Sequence, residues 1–258
     1  MTFIMLFIFF NVFYLIARFK DDYGIIDVAW GLAFFIIFFS SNYSSVLAGD
    51  IRYNLIGFAV FLWAIRLSGY ILYRNLKSNH EDKRYKEMRD DYGDKVAIKM
   101  YIRVYMLQAV LALFLGIQLY LISFDNFQNY NSFGSITDLI GLFIFILGFA
   151  CEAISDYQKN NFKSKPGNGD KTCKVGLWRY SRHPNYFGES LLWFGIGIIC
   201  LNYLPAYLAF IGPFLLTIFL LKVSGVAMLE KSYSDREDFD EYKKRTSAFI
   251  PWFPKGKK

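Results

Sequence analysis

The residues best suited to chemistry gather in one stretch, Gly176-Leu177-Trp178-Arg179-Tyr180-Ser181-Arg182-His183-Pro184-Asn185-Tyr186-Phe187-Gly188-Glu189, where a cationic, aromatic loop runs straight into an apolar segment. This loop puts anion-binding groups at that junction. Asn185 and Glu189 stand four apart, so they share one face if the apolar segment is a helix. An ionisable group inside a bilayer is costly unless it faces a cavity or a partner, so Glu189 implies something polar beside it. Glu152 and Asp156 repeat the four-residue spacing, followed by Lys159, Lys163 and Lys165. Carboxylates that accept from ribose hydroxyls and cations that hold phosphates would together make a polar cup for a nucleotide-like ligand. The bland alternative is a network that ties helix ends to the loop.

Two further polar residues stand in apolar surroundings. Arg66, in Trp63-Ala64-Ile65-Arg66-Leu67-Ser68-Gly69-Tyr70, either snorkels to an interface, pairs internally or meets a ligand. Asp27 lies early in an apolar run, three residues before Trp30. Burial of an isolated carboxyl favours its neutral, hydrogen-bond-donating form, which makes Asp27 a candidate for polarising a substrate. The stretch from Leu229-Glu230 through Tyr242 to Phe249-Ile250-Pro251-Trp252-Phe253 reads either as an interfacial anchor or as the floor of the cup, with Glu230 and Tyr242 closing it.

The elements that must position these groups are membrane helices. The chain has 258 residues, 55% of them hydrophobic and 20% aromatic, and the apolar residues come in long runs. The runs Thr2–Ala17, Ile25–Ser40, Asn54–Ile65, Tyr105–Ser123, Leu139–Ala150, Tyr186–Leu201 and Leu204–Leu221 predict an all-α bundle of seven transmembrane helices. No small-residue cleavage site follows the first run, which therefore reads as a span and not as a signal peptide. All of the 29 basic residues except Arg52 and Arg66 fall at 18–20, 74–103, 159–182 and 222–258. Cytoplasmic loops hold the excess of Lys and Arg, so this alternation predicts an outside N-terminus and a cytoplasmic C-terminus. Residues 74–103 and 159–182 are then cytoplasmic loops and 222–258 a cytoplasmic tail of one membrane-embedded domain. The net charge of +7 is explained by orientation and contact with membrane lipid, and no nucleic-acid partner is inferred.

Cys151, Cys173 and Cys200 share no metal-ligand spacing, and the histidines are only His80 and His183, so neither a disulfide framework nor a metal site is expected. No Gly-x-Gly-x-x-Gly or Walker loop is present, and no obligate protein partner is implied.

Taken together, Leu147-Gly148, Ser155-Asp156-Tyr157, Lys165-Pro166-Gly167, Asn185-Tyr186-Phe187-Gly188-Glu189, Tyr242 and Ile250-Pro251 resemble the steroid 5α-reductase superfamily, including its bacterial branch, over nearly the whole chain. The resemblance implies a multi-pass enzyme of the bacterial inner membrane. It would use NADPH to reduce the C4=C5 double bond of a 3-oxo-Δ4 steroid or a similar enone lipid. Asp156, Asn185 and Glu189 match cofactor-binding positions of that family, and Arg66 matches a basic residue there. Glu152, Lys159, Lys163, Arg179, His183, Tyr186, Glu230 and Tyr242 complete the expected cofactor set. Gln158-Lys159-Asn160-Asn161-Phe162-Lys163 is similar to the Gln-Lys-x-x-Phe-Arg pattern of sterol C14-reductases, with Lys163 replacing an Arg and losing its bidentate fork. Asp27 falls near the second-span glutamate that binds the steroid ketone, with Trp30 and Trp63 as substrate contacts. The partner tyrosine of that glutamate aligns near Trp63, which has no phenol, so Tyr70 is the substitute catalytic hydroxyl on the same span.

Two other readings compete. Arg182-His183-Pro184-Asn185-Tyr186 also fits the isoprenylcysteine carboxyl methyltransferases, which use S-adenosylmethionine. The cations from Lys159 to Lys165 suit the extra phosphates of NADPH better than a sulfonium. A transporter or receptor would explain buried polar residues without chemistry, but predicts a site at the membrane midplane, whereas the polar residues here cluster toward the cytoplasmic ends.

Overall fold

Long apolar runs in a chain with no water to satisfy its backbone leave the helix as the economical solution, and helices account for the architecture. The computed structural model describes residues 1–78, 81–124, 133–233 and 236–256; His80 lies outside them. Among the described residues there is no strand beyond one isolated bridge between Ser181 and Ser247. Two units are distinguished, one of Met1–Phe133 with Tyr203–Leu208 and one of Gly134–Asn202 with Ala209–Lys258.

In the first unit, α1 (Thr2–Lys20), α2 (Ile26–Leu47) and α3 (Ile51–Ser78) are followed by the shorter α4 (Lys83–Tyr92), α5 (Val96–Met100), a π-helical turn (Tyr101–Met106), α6 (Leu107–Leu115) and α7 (Ile117–Leu121). Asp21, with φ 54°, ends α1, and the Asp22 carboxylate accepts from Gly24 N at 2.8 Å to start the next helix. Asp50 does the same for α3, accepting from the backbone N–H groups of Arg52 and Tyr53 at 2.9 and 3.1 Å. Small residues let α2 and α3 approach closely, since a Cβ on Gly31 would lie 3.1 Å from the Ala64 carbonyl. Phe34, Ile37, Ile56, Val60, Trp63 and Tyr105 are among the buried residues of this unit.

In the second unit, α8 (Ile136–Lys163) is paired with α9 (Pro184–Cys200), and α10 (Ala206–Lys222, in this unit from Ala209), α11 (Val226–Ser232) and α12 (Glu237–Arg245) follow. A reciprocal capping box of Ser135 and Asp138 opens α8, and Asn202 Nδ2 donates to the other Asp138 oxygen at 3.1 Å. Pro184 opens α9, where its missing N–H costs nothing. Gly141 and Gly148 on α8 meet Gly195 and Gly188 on α9, each leaving no room for a Cβ against the facing backbone.

Among the described residues, six helical segments are long and apolar enough to cross a membrane: Thr2–Lys20, Tyr23–Leu47, Ile51–Lys77, Lys83–Leu115, Ile136–Lys163 and Ala206–Ser232. The sixth expected span is α9, which has 17 residues and falls outside that set. The fourth expected span, Tyr105–Ser123, is displaced toward the N-terminus because Gly116 interrupts the helix. Residues 74–103, expected as a loop, are largely helical: their Glu, Lys, Arg and Met residues are good helix formers, and the Asp82 side chain caps α4 by accepting from Arg84 N.

Candidate functional site

The second unit builds its polar centre on the α8–α9 contact. Because Gly188 brings α9 against the backbone of Glu152, with a Cβ there only 2.5 Å from Glu152 N, the acidic face of α8 is closed over by the first turns of α9. Glu152, Asp156 and Glu189 are 2, 5 and 6% exposed. Asn185 Nδ2 donates to Asp156 Oδ1 at 3.2 Å, so the two four-residue spacings seen in the sequence interlock. Asn185 Oδ1 is buried and meets no donor among the described residues.

The preceding loop is folded by a left-handed Gly176, φ 59°, whose missing Cβ makes room for the Gln158 side chain. Gln158 Oε1 in turn accepts from Leu177 N at 2.8 Å, and Trp178 Nε1 donates to the Ser155 carbonyl at 2.8 Å. Lys159 Nζ stands 4.8 Å from the centre of the Trp178 ring. The tail locks this loop, since the Tyr242 hydroxyl donates to the carbonyls of Trp178 and Ser181, the latter at 3.0 Å. Burial pushes the Tyr242 phenol above its ordinary value, which keeps it a donor.

His183 stacks on Tyr186, with ring centroids 5.7 Å apart and planes at 11°. Its Nε2 lies 3.3 Å from Glu230 Oε1, an oxygen that also meets Arg182 Nε at 2.9 Å, while Lys243 Nζ is 3.4 Å from Glu230 Oε2. Burial pushes the His183 imidazole below the usual histidine value, outweighing the upward pull of Glu230.

A cleft opens beside these groups, lined by Lys159, Lys163, Lys171, Arg182 and Arg236 together with Trp178, His183 and Tyr242. Of the expected cofactor residues, Lys159, Lys163, His183 and Tyr242 line it. Glu152, Asp156, Asn185, Tyr186 and Glu189 do not: Glu152, Asp156 and Glu189 are buried near the α8–α9 contact with half-buried Asn185 bonded to Asp156, and Tyr186 stacks on His183. Lys163 holds the loop as well as the wall: its Nζ donates to the carbonyls of Gly169 and Lys171 at 2.6 and 2.7 Å. Arg179 is exposed and lines a different cleft, with Lys174, Glu241 and Arg245. Sequence reasoning missed Lys171, Arg182 and Arg236 as lining residues; Arg182 had stood in the opening motif.

The other expected site residues belong to the first unit. Asp27 is not an isolated carboxyl, contrary to the expectation from its apolar run. Its Oδ2 accepts from Arg84 Nη2 at 2.7 Å and its Oδ1 from the Tyr85 hydroxyl at 2.6 Å. The hydrogen-bond donor of this pair is the Tyr85 hydroxyl, and Asp27 accepts. Tyr70 instead lies under Arg66 on the same helix, with the guanidinium carbon 5.6 Å from the ring centre. Trp30 and Trp63 converge on Phe34, at 5.5 and 5.4 Å between ring centroids. Tyr85 is held by α4, which Arg89 ties to the end of α1 through Asp21 at 2.7 Å; Arg89 also meets Glu81 at 3.1 Å, and Glu81 accepts from Tyr23 N at 2.8 Å.

A helical multi-pass membrane protein with a cation-lined cleft and a buried carboxylate–amide array is the class that fold and site define. The chain belongs to the family described as Protein of unknown function (DUF1295), whose family model matches residues 13–246. That family is associated with steroid 5α-reductase-like proteins. No curated protein and no solved structure matches the chain.

Proposed function

We propose that the protein is a membrane-embedded reductase that uses NADPH to saturate the C4=C5 double bond of a 3-oxo-Δ4 steroid or a similar enone lipid. The observation that carries this reading is the cleft lined by Lys159, Lys171, Arg182 and Arg236, because a lining rich in cations suits the phosphates of NADPH and repels the sulfonium of S-adenosylmethionine. When bound, the dinucleotide supplies the hydride. Lys159 and Arg182 would hold its phosphates, and Asp156, Asn185 and Glu189 the hydroxyls of a ribose; the unpaired Asn185 oxygen fits such a donor.

Reduction of an enone also needs polarisation of the ketone oxygen and a proton at the α-carbon. In this reading the Tyr85 hydroxyl, which donates to Asp27 Oδ1 in the structure, turns to donate to the ketone instead, and Trp30 and Trp63 line the apolar substrate. Seven spans with the N-terminus outside and the C-terminus in the cytoplasm of a bacterial inner membrane complete the proposal. The span this adds to the six is α9, whose 17 residues extend roughly 26 Å at the usual helical rise, close to the thickness of a hydrocarbon core.

Thermal unfolding of the detergent-solubilised protein with NADPH and with S-adenosylmethionine tests the reading. Stabilisation by NADPH alone is expected. Stabilisation by S-adenosylmethionine alone would replace the reductase with the methyltransferase that Arg182-His183-Pro184-Asn185-Tyr186 also fits.

A further inference from the structure

Beyond α12 the chain turns back along the loop that opens α9. Arg182 N donates to the Ser247 carbonyl and Trp252 N to the Tyr180 carbonyl, both at 2.9 Å. The Ser181 hydroxyl donates to the Phe249 carbonyl at 2.7 Å, and the Phe249 ring meets Phe187 at 5.7 Å. Phe187 lies in the first turn of α9, so this strap is fixed at the height where a polar loop gives way to an apolar helix. For a membrane helix that is the headgroup level, where tryptophan and tyrosine concentrate.

The side chains not consumed by this attachment face outward. Ile250, Trp252 and Phe253 are 63, 70 and 77% exposed, an apolar group that water does not reward. Beside them opens the second cleft, whose lining includes Thr246 and Pro254 at the two ends of the strap and the cations Lys174, Arg179 and Arg245, with Glu241 as its carboxylate. An exposed aromatic edge and an excess of positive charge are the two signals that stable attachment to an anionic bilayer surface combines.

We propose that the strap is a membrane-docking element: Ile250, Trp252 and Phe253 enter the boundary between headgroups and acyl chains, and the cleft of Lys174, Arg179 and Arg245 holds the phosphate of an anionic phospholipid. The proposal needs no nucleotide in the neighbouring cleft.

The test places the full-length protein in nanodiscs of phosphatidylcholine, alone or mixed with phosphatidylglycerol, with brominated acyl chains as quenchers. Subtracting the emission of a Trp252→Phe variant from that of the parent isolates residue 252. Its emission should be quenched in both discs and more strongly with phosphatidylglycerol, and the gain should vanish when Lys174→Gln and Arg245→Gln are combined. The unfolding temperature of the double variant checks that it is folded. If residue 252 is quenched by aqueous acrylamide and not by brominated chains, the docking is overturned. A phosphatidylglycerol gain that survives the double variant, or that inorganic phosphate reproduces in phosphatidylcholine discs, would remove the lipid from the cleft.

Discussion

Gly148 on α8 and Gly188 on α9 touch through their backbones: a Cβ on Gly148 would lie 2.6 Å from the Gly188 carbonyl oxygen, and one on Gly188 2.7 Å from that of Gly148. Their contact sets the depth at which Glu152 and Asp156 are covered. Gly188→Ala should therefore destabilise the protein by about 1–3 kcal/mol through overpacking, read as a lower unfolding temperature in detergent. Gly169→Ala, with nothing within 4 Å of the added carbon, should behave like the parent. Equal stability of the two variants would show that α8 and α9 can separate freely.

Tyr85→Phe should reduce turnover of a 3-oxo-Δ4 steroid by roughly 100- to 10,000-fold, the range for loss of an acid–base group, while stabilisation by NADPH persists. Asp27→Asn should also slow turnover, because it replaces the carboxyl group that accepts from both the Tyr85 hydroxyl and Arg84. Parent-like rates in both variants would take this pair out of the mechanism and return attention to Tyr70.

His183 predicts a pH dependence of stability. Its folded form favours the neutral ring, so the unfolded chain binds the proton more readily. The stabilisation is complete above the unfolded value of about 6.5 and is lost as pH falls through the lower folded value. Melting curves of the parent should shift downward on acidification from about pH 6.5, and His183→Gln should flatten that part of the profile. Superimposable profiles would mean that the ring takes up its proton as easily folded as unfolded.

Orientation can be read from a single reporter. Gly169→Cys occupies open space in the 164–171 loop, so in a background lacking Cys151, Cys173 and Cys200 it gives a cysteine that does not perturb the fold. A membrane-impermeant maleimide added to intact cells should leave it unlabelled and should label it once the cells are opened. Labelling in intact cells would place this loop outside.

What was legible in the sequence is what helical periodicity and hydropathy determine. Apolar runs located most spans, and the equal spacing of Glu152 with Asp156 and of Asn185 with Glu189 anticipated a shared polar array. Side-chain direction in irregular segments was not legible: nothing in the spacing of Arg179 and Arg182 tells that one lines the Lys174 cleft and the other the Lys159 cleft. Nor does spacing show that Lys163 is engaged with Gly169 and Lys171. Tyr85 was missed because its carboxylate partner is 58 residues away, and because a run as charged as Lys83–Tyr92 reads as loop when only hydropathy is weighed.

The hydroxyl of Tyr242 reaches carbonyls 64 and 61 residues earlier in the chain, at Trp178 and Ser181, and all of α10 lies in between. During synthesis the α8–α9 hairpin is therefore complete in the chain while the loop joining its helices still lacks its floor. The cation-lined cleft is assembled only after another helix has been threaded across. Quality control of this protein is in effect a check on α10: a chain that stalls there displays a paired hairpin with an unsealed, cationic mouth. A chaperone or protease could tell that mouth from the finished molecule without inspecting the membrane-buried part.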